Sequence, residues 1–189
     1  RQLADILTAA DRPGEAKTWR REGEKVAKAV RRVFWDDKIG LMRAATVVSR
    51  EPDIWGSAFA VRLGVASPSQ SRQIAQYFKD HYRELVQDGQ VRHIPGGMHW
   101  EKTTAPLGTY QNGGYWATPV GWFVYTLDLV DPKLADQTVV DMVRDFIEKD
   151  DANEWVLDNK ALGAKRYRAS IALPLEGIRA MMDRRGATR

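Results

Sequence analysis

Apolar residues recur at steps of three and four through residues 14–35, at Trp19, Gly23, Val26, Val30, Val33 and Phe34, with Arg, Lys and Glu in the gaps. That spacing predicts an amphipathic helix with one wet face. Residues 53–63 (DIWGSAFAVRL) differ, being apolar nearly all round apart from Arg62, and predict a helix buried on most sides. Gly64 is placed to end that helix, and Ser67-Pro68 to start the next. Residues 69–86 are amphipathic again, with Ile74, Tyr77, Phe78, His81, Tyr82 and Leu85 in line. Residues 115–130 are apolar all round, and Asp131-Pro132 stops them and caps a further helix. That helix, over 134–149, is amphipathic through Val139, Met142, Val143, Phe146 and Ile147. Residues 167–182 are mostly apolar, with a mid-helix Pro174 that predicts a kink. Residues 3–10 have the pattern of the tail of an earlier helix.

Wet and buried segments thus alternate strictly. An up-down bundle gives each helix a similar stripe. Alternation predicts two layers instead, buried helices inside and wet ones outside: an all-α fold, an α/α toroid of helical hairpins. The chain holds three hairpins and a leading piece. No close repeat at a fixed period marks a regular solenoid. Connections from wet to buried segments are long and rich in Gly and Trp, over 36–52, 87–114 and 150–165, whereas 64–68 and 131–133 are short. Long loops are uncommon without a job. All three precede a buried helix, so in a toroid they share one face, and function is expected there. Residues 40–47 and 90–94 are candidates for short strands on that face.

Composition narrows the chemistry. The 189 residues suit one domain, or a piece of a larger one, and 43% hydrophobic with 29% charged content excludes a disordered or fibrous chain. No uncharged apolar run is long enough to span a membrane. Cysteine is absent, which removes disulfides, thiol catalysis and zinc-thiolate sites, and three histidines argue against a His-rich metal site. Neither a metal nor a cofactor is expected. The net charge of +4 sits partly in Arg184, Arg185 and Arg189 and in the Arg20–Arg21 and Arg31–Arg32 pairs. These read as solvated helix faces; a nucleic-acid patch would be larger and more contiguous. No nucleic-acid or membrane partner is expected. The chain opens on Arg1 and carries no signal-peptide pattern, as expected of a fragment, a processed form or an expressed domain. Seven tryptophans are the unusual number.

The 87–114 loop and the residues after it (DGQVRHIPGGMHWEKTTAPLGTYQNGGYW) hold His93, His99, Trp100, Glu101, Tyr110, Gln111, Asn112, Tyr115 and Trp116. Aromatic faces beside amides and carboxylates suit sugars: the C–H face of a pyranose stacks on a ring, and its hydroxyls pair with planar polar groups. The bland alternative is a loop that packs its own aromatics on the helices. The two histidines of this loop lack metal-ligand spacing and read as hydrogen-bonding groups. Asp53 reads first as an N-cap, with Trp55 facing the functional end. Among Asp150, Asp151, Glu154 and Asp158, Glu154 is flanked by Trp155 and Val156, a partly apolar setting that biases a carboxyl toward a tuned pKa. No Ser-His-Asp arrangement, phosphate-binding Gly loop or dinucleotide fingerprint is present.

The segments PDIWGSAFAVRLGVAS, YQNGGYWATPVGWFVYTLDLVDP and NEWVLDNKALGAKRYRASIALPLEGI resemble the C-terminal half of the six-hairpin glycosidases, a group with trehalases, processing α-glucosidases and debranching-type glucosidases. The resemblance spans most of the chain. It implies half of an (α/α)6 barrel, with residues 1–189 a single domain that forms the C-terminal half of a catalytic domain. It places the catalytic base at Glu154, followed by Gly163-Ala164 and Ser170, although this chain has Glu154-Trp155-Val156 where Glu-Asn-Tyr is usual. The general acid is then expected outside this chain. Three hairpins cannot close a six-hairpin toroid, and exposed apolar sides of inner helices would call for a partner: the rest of the same polypeptide, or a second copy.

The expected function is glycoside hydrolysis by two carboxyl groups, in inverting geometry about 6.5–9.5 Å apart so that a water fits between them. Glu154 is the expected base; Trp55, His93, Trp100, Glu101, Tyr110, Gln111, Asn112, Tyr115 and Trp116 are the expected substrate-binding residues. Two alternatives stand beside it. A sugar epimerase or lyase would depend on His93 or His99. A non-catalytic carbohydrate-binding or scaffold domain would keep the aromatics and lose the acid. Fold alone does not choose among them.

Overall fold

Start and stop signals set most of the helices in the computed structural model, which describes residues 2–187; Arg1 and Arg189 lie outside the described residues. Helix α1 (Gln2–Ala9) leads into α2 (Pro13–Phe34), which has Pro at its first turn. Asp53 caps α3 (Ile54–Arg62), accepting the Gly56 N–H at 2.7 Å, and Gly64 follows the helix at φ +63. A capping box of Ser67 and Gln70 opens α4 (Pro68–Asp80). The expected 69–86 helix breaks at exposed His81, continues as the single turn α5 (Tyr82–Leu85), and then becomes strand. Asp131 caps α7 (Pro132–Glu148) through the Leu134 N–H at 3.1 Å.

The all-α expectation fails, and the half (α/α)6 barrel with it. The chain is mixed, 55% helix and 10% strand, and its long loops carry a curled five-stranded antiparallel sheet. A two-stranded hairpin joins β1 (Trp35–Asp36) to β2 (Leu41–Met42). The larger sheet runs in order β3 (Val86–Gln87), β4 (Gln90–Arg92), β5 (Tyr115–Trp116), β6 (Trp155–Leu157), β7 (Lys160–Leu162). Two of its turns are made by Asp88-Gly89 (φ +52, +71) and Asp158-Asn159 (φ +49, +60). Positive φ at both central residues is the type I′ geometry that matches strand twist. Helical periodicity does not register such turns, and strands of two or three residues are too short to show a period of their own. Of the two candidate strands, 90–94 supplies β4 and 40–47 supplies β2.

One helix holds the interior together. The apolar run at 115–130 begins as β5 and becomes α6 (Val120–Leu127), which packs against α3, α4, α7 and α8 (Ala169–Ala187). Phe123 stacks on Phe78 at 4.5 Å, and Ile54, Ile74, Leu85 and Leu127 close around them, all fully buried. The α6–α8 crossing is close because it runs through glycines: a Cβ on Gly177 would overlap the Gly121 backbone, and one on Gly121 would overlap the Pro174 carbonyl. Helix α8 runs through Pro174, which is buried.

Helix α8 is not an inner helix, since Ile171 and Met182 are 55% and 62% exposed. The expected apolar stripe of α2 is also largely unburied: Ala16 and Ala27 face inward, while Trp19 and Val26 are 49% and 63% exposed. Nor do Arg184 and Arg185 form a solvated basic face. Both pair with buried Asp128 of the α6 C-terminus, at 2.7 and 2.5 Å, and Arg184 lies over the Tyr125 ring.

The sheet is pinned to α7 at its other side. The Gly89 turn lies so close that a Cβ there would meet the α7 backbone at Thr138 and Met142. Gln90 donates to buried Asp145 at 2.7 Å, and Lys149 pairs with the same carboxylate. Burial pushes the Asp145 carboxyl above the ordinary carboxylate range, against the pull of Lys149. At the β1–β2 hairpin the balance is reversed: burial acts on Asp36 too, but Arg43 and the Lys38 N–H hold that carboxyl below the ordinary range.

Candidate functional site

The sheet decides which aromatics meet. Val91 pairs with Trp116 and Arg92 with Tyr115, so Trp116 and Tyr115 project to opposite faces. Trp116 joins a continuous aromatic row. Trp100 meets His93 edge-on (4.9 Å), His93 stacks on Trp55 (4.0 Å, 11° between planes), and Trp55 meets Trp116 edge-on (5.6 Å). Tyr110 then bridges Trp116 (4.9 Å) and Trp155 (6.0 Å). Tyr115, on the other face, donates its hydroxyl to the Glu84 carbonyl at 3.2 Å and lies under Arg92. It is therefore apart from the row.

Beside the row opens a cleft of ≈ 480 Å³, walled by Asp53, His93, Trp100, Tyr110, Gln111 and residues 102–105. Trp100 is fixed by two bonds: its backbone N–H goes to Asn112 Oδ1 (2.9 Å) and its indole N–H to the Gln111 carbonyl (2.8 Å). Asn112 is 2% exposed and donates its Nδ2 to the Ala105 carbonyl, so its amide clamps the loop and is withdrawn from any ligand. Trp55 donates to the Val91 carbonyl and forms the support beneath His93. Glu101 is exposed and ties two loops together: Oε2 accepts the Ser49 N–H at 2.9 Å, and its own N–H goes to Glu51. His99 is exposed on the same loop.

Glu154 leads into β6. Its Oε1 accepts the Tyr110 hydroxyl at 3.2 Å and its Oε2 the Ala164 N–H at 2.9 Å, while its own N–H donates to the Ala164 carbonyl. Gly163, at φ +75, leaves room for this: a Cβ there would collide with the Glu154 carboxylate. Desolvation first, and then the Glu154 carboxylate, push the Tyr110 phenol up, which keeps its proton on the donor side of that bond. Glu154 does not itself wall the cleft; Tyr110, which does, connects the two.

Asp53 is a helix cap, as its position predicts, and also the one carboxylate among the described residues of the cleft wall, with His93 Nε2 3.2 Å from its Oδ1. The signal was available in part, since Asp53 stands two residues before Trp55 at the end of a long loop. What no spacing shows is that His93 returns to it across forty residues of chain. Among the described residues no cluster of His, Asp and Glu is arranged to hold a metal ion, and no helix is long and apolar enough to cross a membrane.

No protein-family model, curated protein or solved structure matches this chain.

Proposed function

We propose that this chain is a glycoside hydrolase module whose cleft seats a sugar and whose Glu154 serves as the general base. The observation that carries the reading is the unbroken aromatic row from Trp100 to Trp155, with an open cleft on one flank and the Glu154–Tyr110 pair at its end. Trp100 and Tyr110 offer ring surface to the C–H groups of a pyranose, and Gln111 offers donors and acceptors to its hydroxyls. In the reaction a water oxygen attacks the anomeric carbon as its bond to the leaving oxygen breaks. The water's proton passes to Glu154, and an acid expected outside this chain protonates the leaving group. The motif resemblance to six-hairpin glycosidases points to the same chemistry; the proposal rests on the site and not on that fold.

A specific feature favours a second reading, carbohydrate binding without hydrolysis. Both Glu154 oxygens already have protein partners, so a water must displace or share the Tyr110 hydroxyl to reach the base.

Glu154→Gln separates the two. It keeps the shape and removes the base, so in the full-length protein turnover falls by roughly 10²-fold or more while sugar affinity stays within a fewfold. Release of reducing sugar and calorimetric binding measure the two quantities. Unchanged turnover in Glu154→Gln with collapse in Glu101→Gln would reverse the assignment. Sugar binding by the wild type with no turnover at all selects the binding module.

A further inference from the structure

We infer that Asp53 is a ligand-binding carboxylate of the cleft, accepting hydrogen bonds from the hydroxyls of a neutral sugar, and that His93 is the residue that positions it. This rests on the carbohydrate reading above and deepens it by naming an anchor and a class of ligand.

For a helix cap, one side-chain oxygen accepting one N–H suffices, and Ser, Thr or Asn supplies it as well as Asp. Asp53 meets that need with Oδ1 alone, through Gly56. Three features go beyond it. The same Oδ1 lies 3.2 Å from His93 Nε2, a contact that a cap does not need. The His93 ring is held between the Trp55 face and the Trp100 edge, and its Nδ1 is buried with no hydrogen-bond partner among the described residues. With Nδ1 closed off in this way, Nε2 is the ring nitrogen that meets Asp53. Finally, Asp53 Oδ2 makes no hydrogen bond among the described residues, and the side chain lies on the cleft wall. The Gly56 N–H and the His93 ring thus both lie at Oδ1, and Oδ2, beside Gly56, makes no hydrogen bond among the described residues.

The backbone fixes the pair as well. The Ile54 N–H donates to the His93 carbonyl at 3.0 Å, and the Trp55 indole donates to Val91 at 3.3 Å. The start of α3 and the exit of β4 are therefore tied at three points within three residues of one another. An acceptor held in this way loses little freedom when it takes a ligand hydroxyl.

The chemistry of the wall selects the ligand. Asp53 is an acceptor and repels anions; among the described residues Lys102 is the one cation of the lining, which includes no arginine. Thr103, Thr104 and Gln111 add neutral polar groups beside the Trp100 and Tyr110 rings. That set suits an uncharged polyol with an apolar face rather than a uronate or a sugar phosphate.

The test is calorimetric titration of the full-length protein with maltose, trehalose, cellobiose and mannobiose. Asp53→Asn retains a good cap, so Tm should hold while affinity for the bound disaccharide falls about tenfold or more, the usual scale for a hydrogen bond to a charged group. His93→Phe keeps the stack on Trp55 and removes the ring nitrogen beside Asp53; it should weaken binding in the wild-type background and add nothing in the Asp53→Asn background. Affinity within twofold of wild type in Asp53→Asn, alongside clear wild-type binding, reduces Asp53 to a cap and overturns the inference alone. An undiminished His93→Phe effect in the Asp53→Asn background gives His93 its own contact and overturns its positioning role. Failure of the wild type to bind any of the four sugars overturns the carbohydrate reading itself, before any variant is made.

Discussion

Helices α6 and α8 read alike in the sequence and ended in opposite environments. Both are apolar over most of their circumference. Helix α6 is enclosed by four other helices, with Val120, Phe123, Val124 and Leu127 fully buried. Helix α8 buries Ser170, Pro174, Gly177 and Met181 along one side and leaves Ile171, Leu175 and Met182 in solvent. Composition states how much apolar surface a helix has; it does not state how many neighbours arrive to cover it. The difference also separates two kinds of contact. On α6 stability comes from large side chains filling volume, whereas on α8 it comes from close backbone approach and from the Arg184–Asp128–Arg185 tie.

The strongest way to sharpen that contrast is Phe123→Ala. Its ring stacks on Phe78 at the centre of the core, and the cavity left behind should cost about 3–5 kcal/mol in urea unfolding. A cost under about 1 kcal/mol would mean that α6 is not the centre of packing.

Next in size is the seam itself. Gly177→Ala drives a methyl into the Gly121 backbone, so the helices must separate, at about 1–3 kcal/mol. Gly121→Ala opens the same seam, and the double variant should cost clearly less than the sum of the two. Strict additivity would break the picture of one shared contact.

The smallest effect belongs to the outer side of α8. Leu175→Ala and Met182→Ala should each change stability by no more than about 0.5 kcal/mol, because both side chains are exposed and their loss leaves no enclosed cavity. A loss of several kcal/mol in either would show that this side is covered in solution.

Several parts of the molecule were legible in the residues alone. Asp53, Ser67-Pro68 and Asp131-Pro132 mark helix starts by satisfying N–H groups that a helix leaves open, a purely local requirement, and the helices begin where those residues stand. The five-stranded sheet was half legible: Asp88-Gly89 is a hairpin signal written in two residues, but strands of two and three residues are too short to show a period. The clustering of aromatics in the loops was visible, though not their sorting. Trp116 joins the row and its neighbour Tyr115 leaves it because a strand turns alternate side chains to opposite faces, and Asn112 is spent on the loop because a buried amide must be paired.

By itself, then, the sequence determined the local elements: where helices start, which loops are long, and which residues carry aromatic or acidic chemistry. Only the tertiary structure decided which apolar faces are covered, that the loops pair into a sheet, and that His93 meets Asp53 on the wall of one cleft. Caps and turns are settled by atoms a few residues apart, and their cost is paid locally. Burial and side-chain pairing depend on segments distant in the chain, whose arrival no local pattern encodes.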